Sequence, residues 1–117
     1  MSLPERLRPS VRRVLQDPES ERWLSPVSVW EAALLHRKRR IALPRGLEAI
    51  VAELNESEAI RFAPLTAEIA LAVPRLELST NDPADNFIAA TAAVNGLTLV
   101  TADVRLLRVP GLDTLRA

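Results

Sequence analysis

The 117-residue chain reads as an α/β domain built on a parallel sheet. Three observations predict this. Apolar stripes at helical spacing alternate along the chain with short apolar β-runs. The longest helical pattern, Pro83 to Asn95, is small and apolar on most sides, so it belongs in the interior. Finally, Asp85 opens that helix and Asp103 follows a β-run, and open parallel sheets bind ligands just beyond the carboxyl ends of strands.

Pro4 to Leu15 carries Leu7, Val11, Val14 and Leu15 as one apolar stripe and ends at Asp17-Pro18. Glu21 to Val27 holds a short strand centred on Trp23 and Leu24. Ser28 to Arg40 is expected as a helix, with Ser28 as N-cap, Glu31 at the capping-box position, and Ala32, Ala33, Leu34 and Leu35 buried. His36 to Arg40 crowds positive charge at its end, where the helix dipole favours it. Leu43-Pro44 breaks the chain. Arg45 to Leu54 then places Leu47, Ile50, Val51 and Leu54 on one helical face. Ile60 to Ala63 is a short strand, and Thr66 precedes a helix from Ala67 to Val73 that Pro74 ends. Asp82 and Gly96 bracket the apolar helix as N-cap and C-terminal glycine. Leu97 to Thr101 is a β-run, Val104 to Leu107 a helical turn, and Val109 to Leu115 a loop with a last strand.

Composition narrows the function. The length suits one domain, and 48% hydrophobic with 26% charged residues is ordinary for a soluble fold. Net charge is zero, so only a local patch could bind nucleic acid. All basic residues but Lys38 are arginine, as a high-G+C coding bias would produce; arginine also suits bidentate phosphate contacts. With no cysteine, disulfides, thiolate zinc sites and thiol catalysis are excluded. No apolar run reaches the length of a membrane span and no signal peptide is visible, so a cytoplasmic protein is expected.

Glu31, Asp85 and Asp103 are the candidate metal ligands, because hard divalent cations such as Mg²⁺ and Mn²⁺ prefer oxygen donors from separate elements. Each also has a plain structural role. Asp82 and Asp85 fit N-cap and first-turn positions, Glu31 fits a capping box, and Asp103 fits an N-cap for Val104–Leu107. Thr101 supplies a hydroxyl at the same strand end as Asp103. Trp23 and Trp30 read as core residues, and the basic run Arg37–Arg40 as a solvated helix end.

The order of three motifs adds to this. V-S-V-W-E-A-A-L, then D-P-A-D-N-F-I-A-A-T-A, then G-L-T-L-V-T-A-D resemble the PIN domain, and within it the branch of VapC-type toxins of bacterial toxin–antitoxin pairs. The resemblance runs from about Pro4 to Leu115. It implies a three-layer α/β/α fold with a parallel sheet and Mg²⁺- or Mn²⁺-dependent endoribonuclease activity. It also implies an RNA substrate and a cognate antitoxin. Glu31, Asp85 and Asp103 match the family's acidic positions, and Thr101 the assisting hydroxyl; Asp82 matches its D-P turn.

One departure stands out. The family opens with a hydrophobic strand ending in aspartate, whereas Met1 to Pro4 leads directly into a helix. The expectation is a single, N-terminally truncated domain over residues 1–117 that lacks its first central strand. Glu5, Asp17 and Glu19 do not replace the missing carboxylate. Weak or absent nuclease activity follows, as does homodimerisation or rearranged strand pairing to cover open edges. A non-catalytic scaffold acting through association is the competing reading. A phospho-receiver is disfavoured because the early acids are not at a strand end and the one lysine, Lys38, is not late. An Asp-x-Asp phosphatase is disfavoured because Asp82 and Asp85 are three apart.

Overall fold

The computed structural model describes residues 9, 13, 16, 17, 20–77 and 81–117. Most of the expected first helix, Pro4 to Leu15, lies outside them, with Glu5 and Glu19; Pro9, Arg13 and Gln16 are helical. The chain divides into two compact units, Glu21–Thr66 and a second formed by Met1–Ser20 with Ala67–Ala117. Each holds one parallel pair of three-residue strands.

In the first unit, β1 (Arg22–Leu24) pairs with β2 (Ile60–Phe62), and the Ala63 N–H donates to the Leu24 carbonyl at 2.9 Å. Trp23 and Arg61 are cross-strand partners, with the guanidinium 5.9 Å from the ring centroid. Between the strands lie helices α1 (Pro26–Arg37) and α2 (Leu47–Glu56). As its spacing predicts, α2 half-buries Leu47, Ile50, Val51 and Leu54 and exposes the residues between. Arg45 forms a bidentate pair with Glu53 across the first turns of this helix.

Helix α1 corrects the sequence reading. It starts at Pro26, not Ser28, because Ser25 is the cap: its Oγ accepts from the Val27 N–H at 3.1 Å, and Pro26 fills the first turn, where no N–H is needed. Glu31 therefore sits in the second turn, outside any capping box, and the first turn holds no acid. Trp30, expected in the core, is 53% exposed, and Leu35 is exposed as well. The helix ends at Arg37 rather than Arg40. The Arg39 N–H donates to His36 O and the Arg40 N–H to Leu35 O, which closes the end with Arg39 left-handed at φ 58°. Glycine usually fills that place.

In the second unit, α3 (Ala67–Ala72) runs through Pro74 into a 3-10 turn and packs on α4 (Pro83–Asn95). Asp82 caps α4 by accepting from the Ala84 N–H at 2.9 Å, and Gly96, left-handed at φ 64°, ends it. Ala84, Ala89, Ala90, Thr91 and Ala92 are buried, as the composition of this helix requires. After Gly96 the chain enters β3 (Leu99–Thr101), shorter than the expected run from Leu97. The helical turn α5 (Val104–Leu107) follows, then β4 (Thr114–Arg116), which pairs with β3. Ala89, Ala92, Leu106, Val109 and Leu112 form the core of this unit.

Two outcomes test this packing. Ile69 is the largest fully buried side chain among the described residues, and Ile69→Ala should cost about 3 kcal/mol in urea denaturation, the usual loss for a buried aliphatic truncation. Arg39→Gly should instead raise stability by about 1 kcal/mol, since it removes the left-handed strain at that φ.

Candidate metal centre

The second unit presents Asp85 and Asp103 from different elements. Asp85 lies in the first turn of α4 and is half-buried. Asp103 follows β3 by two residues and caps α5, accepting from the Arg105 N–H at 2.9 Å. Desolvation pushes the Asp85 carboxyl up, and the negative charges of Asp82 and Asp103 push it further; Arg105 opposes them. The three carboxylates thus share one electrostatic field, although they come from a helix cap, a helix turn and a strand end. Like charges beside a partly desolvated carboxylate favour its neutral form.

Arg105 supplies the opposing positive charge. Its Nε and Nη2 donate to Asp103 Oδ1 and Oδ2 at 3.1 and 2.8 Å. This fork, helped by the Arg105 backbone N–H, holds the Asp103 carboxyl below its ordinary range. Asp103, and with it Asp85 and Asp82, raises the Arg105 guanidinium in turn. Sequence reasoning missed Arg105. Its signal was the D-x-R spacing, which returns the arginine onto the capping aspartate at the start of α5.

Thr101 does not reach a carboxylate. Its Oγ1 accepts from the Asp103 backbone N–H at 3.0 Å and so fixes the bend between β3 and α5. Asn86, beside Asp85, has a buried Oδ1 without a hydrogen-bond partner. Glu31 belongs to the other unit, half-buried on α1. Among the described residues, no three of His, Asp and Glu form a group that could hold a metal ion. Capping explains part of this: Asp82 is turned toward Ala84, and Asp103 toward Arg105. Of the three candidate ligands, Asp85 and Asp103 alone offer this unit oxygen donors of the kind a hard divalent cation takes.

The two aspartates should respond oppositely to neutralisation. In the fold the Asp85 pKa is raised, so its ionisation destabilises the protein above that value and costs nothing below the ordinary carboxylate range. Asp85→Asn should therefore raise the Tm at pH 7, and the gain should vanish in acid. Asp103 is lowered, so its contribution is present above the unfolded value and lost as pH falls through the folded one. Asp103→Asn, which keeps the cap, should lower the Tm at pH 7 and converge with the parent in acid. Thermal melts without metal from pH 3 to 7 give both signs.

The sequence profile of the PIN domain matches residues 3–112. No curated protein and no solved structure gives a significant match. The mixed fold with short parallel strand pairs agrees with this family, whose members are generally divalent-metal-dependent nucleases. From residue 3 to residue 112, nearly its whole length, the chain belongs to the PIN domain family.

Proposed function

We propose that the chain is a Mg²⁺- or Mn²⁺-dependent endoribonuclease of the VapC-type toxin branch. Asp85, Asp103 and Glu31 are assigned as the metal ligands, and Thr101 as the assisting hydroxyl. Glu31 is assigned by its motif alone. The observation that supports the reading best is the family match over residues 3–112, within which Asp85 and Asp103 lie in one compact unit, at the start of α4 and just after β3. When bound, the ion would supply an acidified water and neutralise charge on a phosphodiester.

The chain's own residues would do the remaining work. Thr101 holds the backbone of Asp103 in place. Asp103 would be a ligand of the ion, and Arg105, now forked onto Asp103, would be the cation placed to face a phosphate, whose geometry its planar donors match. A single domain in the bacterial cytoplasm, with an antitoxin and a second copy of the chain as partners, completes the reading. Among the described residues no helix is long and apolar enough to cross a membrane.

A non-catalytic scaffold acting through association is the second reading. It is favoured by the exposed apolar residues Trp30, Leu65 and Leu71, the last 65% exposed.

Mn²⁺ calorimetry on the parent chain, Asp85→Asn, Asp103→Asn and Arg105→Gln separates the two. The nuclease reading predicts binding by the parent, loss in both aspartate variants, tighter binding in Arg105→Gln, and RNA cleavage that EDTA abolishes. A parent chain that binds no Mn²⁺ yet runs as a dimer in light scattering would establish the scaffold instead.

A further inference from the structure

The end of α1 concentrates four adjacent positive charges. Arg45 is paired with Glu53, Arg61 lies over Trp23, and Arg105 is forked onto Asp103. Arg37, Lys38, Arg39 and Arg40 are all exposed, and among the described residues no acidic group forms an ion pair with any of them. The helix dipole accounts for a cation in the last turn, but its influence fades within that turn. Arg39 and Arg40 lie beyond it. Four adjacent cations repel one another, and among the described residues no ion pair offsets that.

The backbone adds a second peculiarity. Arg39 occupies the left-handed position that closes the helix, where glycine would be unstrained. A charged side chain is thus kept at a place that disfavours any side chain. Strain of this kind clusters at functional sites.

A third observation says what the patch would bind. Trp30, the exposed tryptophan, is seven residues before Arg37, two helical turns away on the same face of α1. That face therefore carries an aromatic ring about 10 Å along the axis from Arg37, and Lys38, Arg39 and Arg40 follow in the turn that closes the helix. Surfaces for single-stranded nucleic acid combine these two parts, rings that stack on bases and cations that track the phosphates. Three of the four cations are arginines, whose flat forks suit phosphate oxygens.

We infer that the face of α1 carrying Trp30 and Arg37, with the closing turn from Lys38 to Arg40 that follows it, is a binding surface for a single strand of RNA, with a base stacked on Trp30 and consecutive phosphates on Arg37, Lys38, Arg39 and Arg40. The choice of RNA rests on the nuclease reading; the stacking and phosphate contacts do not. The surface requires no metal. It also gives the exposed Trp30 and the strained Arg39 one shared role.

The experiment is fluorescence anisotropy of a labelled single-stranded RNA of about 12 nucleotides, titrated with the whole chain in EDTA over a salt series. The parent should bind with a steep salt dependence. A variant combining R37Q, R39G and R40Q should bind more weakly and lose roughly 2 from the slope of log K against log salt, as expected for three lost contacts to a single strand. Glycine suits the backbone at 39, so this variant should remain folded. W30A should lose roughly tenfold with the slope unchanged, the signature of one lost stacked base. With W23F leaving Trp30 as the only tryptophan, RNA should quench its emission.

Equal affinity of parent and triple variant would overturn the proposal, as would a parent that fails to bind RNA in EDTA. Matching losses on polyglutamate would do the same, by pointing to an acidic protein partner. Mn²⁺ calorimetry on the triple variant keeps the two readings apart. Retained Mn²⁺ binding with lost RNA binding supports the surface; retained RNA binding with no Mn²⁺ binding in the parent would sink the nuclease reading alone.

Discussion

Helix α4 can be buried on most sides only because its inner positions are alanines and one threonine. Small side chains let neighbouring backbones approach, and the remaining polar group is satisfied locally: the Thr91 hydroxyl donates to the Phe87 carbonyl at 2.7 Å. The rest of the second unit depends on this helix. Helix α3 packs against it, and Leu106, Val109 and Leu112 close over Ala89 and Ala92. Gly96 then turns the chain directly into β3. A larger residue at position 89 or 90 would push these elements apart, since close-packed interiors tolerate little added volume.

The same burial creates the electrostatic problem at the helix start. Asp82 is used as a cap, but Asp85, one turn in, is partly desolvated beside two other negative charges. Arg105 answers this incompletely, because its fork is spent on Asp103. An aspartate left in this position costs stability that a neutral residue would not. The crowding is more informative than any one of its carboxylates, each of which has a plain capping or first-turn role.

Much of this was legible in the sequence, for identifiable reasons. Asp82-Pro83 and Gly96 marked both ends of α4, because a side-chain cap and a left-handed residue are local requirements. Asp103 was readable as an N-cap for the same reason. Helix α1 was placed late because two serines compete for its start, and Pro26 decides for Ser25. That shift moved Glu31 out of the first turn. Trp30 was misassigned because hydrophobicity alone does not say which face of a helix is covered. The Arg105 fork and the left-handed Arg39 depend on turn geometry that composition does not encode.

If Asp85 and Asp103 serve one ion, Mn²⁺ must reach both at once. The most direct measurement is paramagnetic broadening of backbone amide signals by substoichiometric Mn²⁺ in the ¹⁵N-labelled chain. The signals of Ala84–Asn86 and Thr101–Arg105 should then disappear together, before those of other acidic segments. Broadening that spreads evenly over exposed acids such as Glu48, Glu56 and Glu77, while leaving Asp85 sharp, would contradict a shared ion.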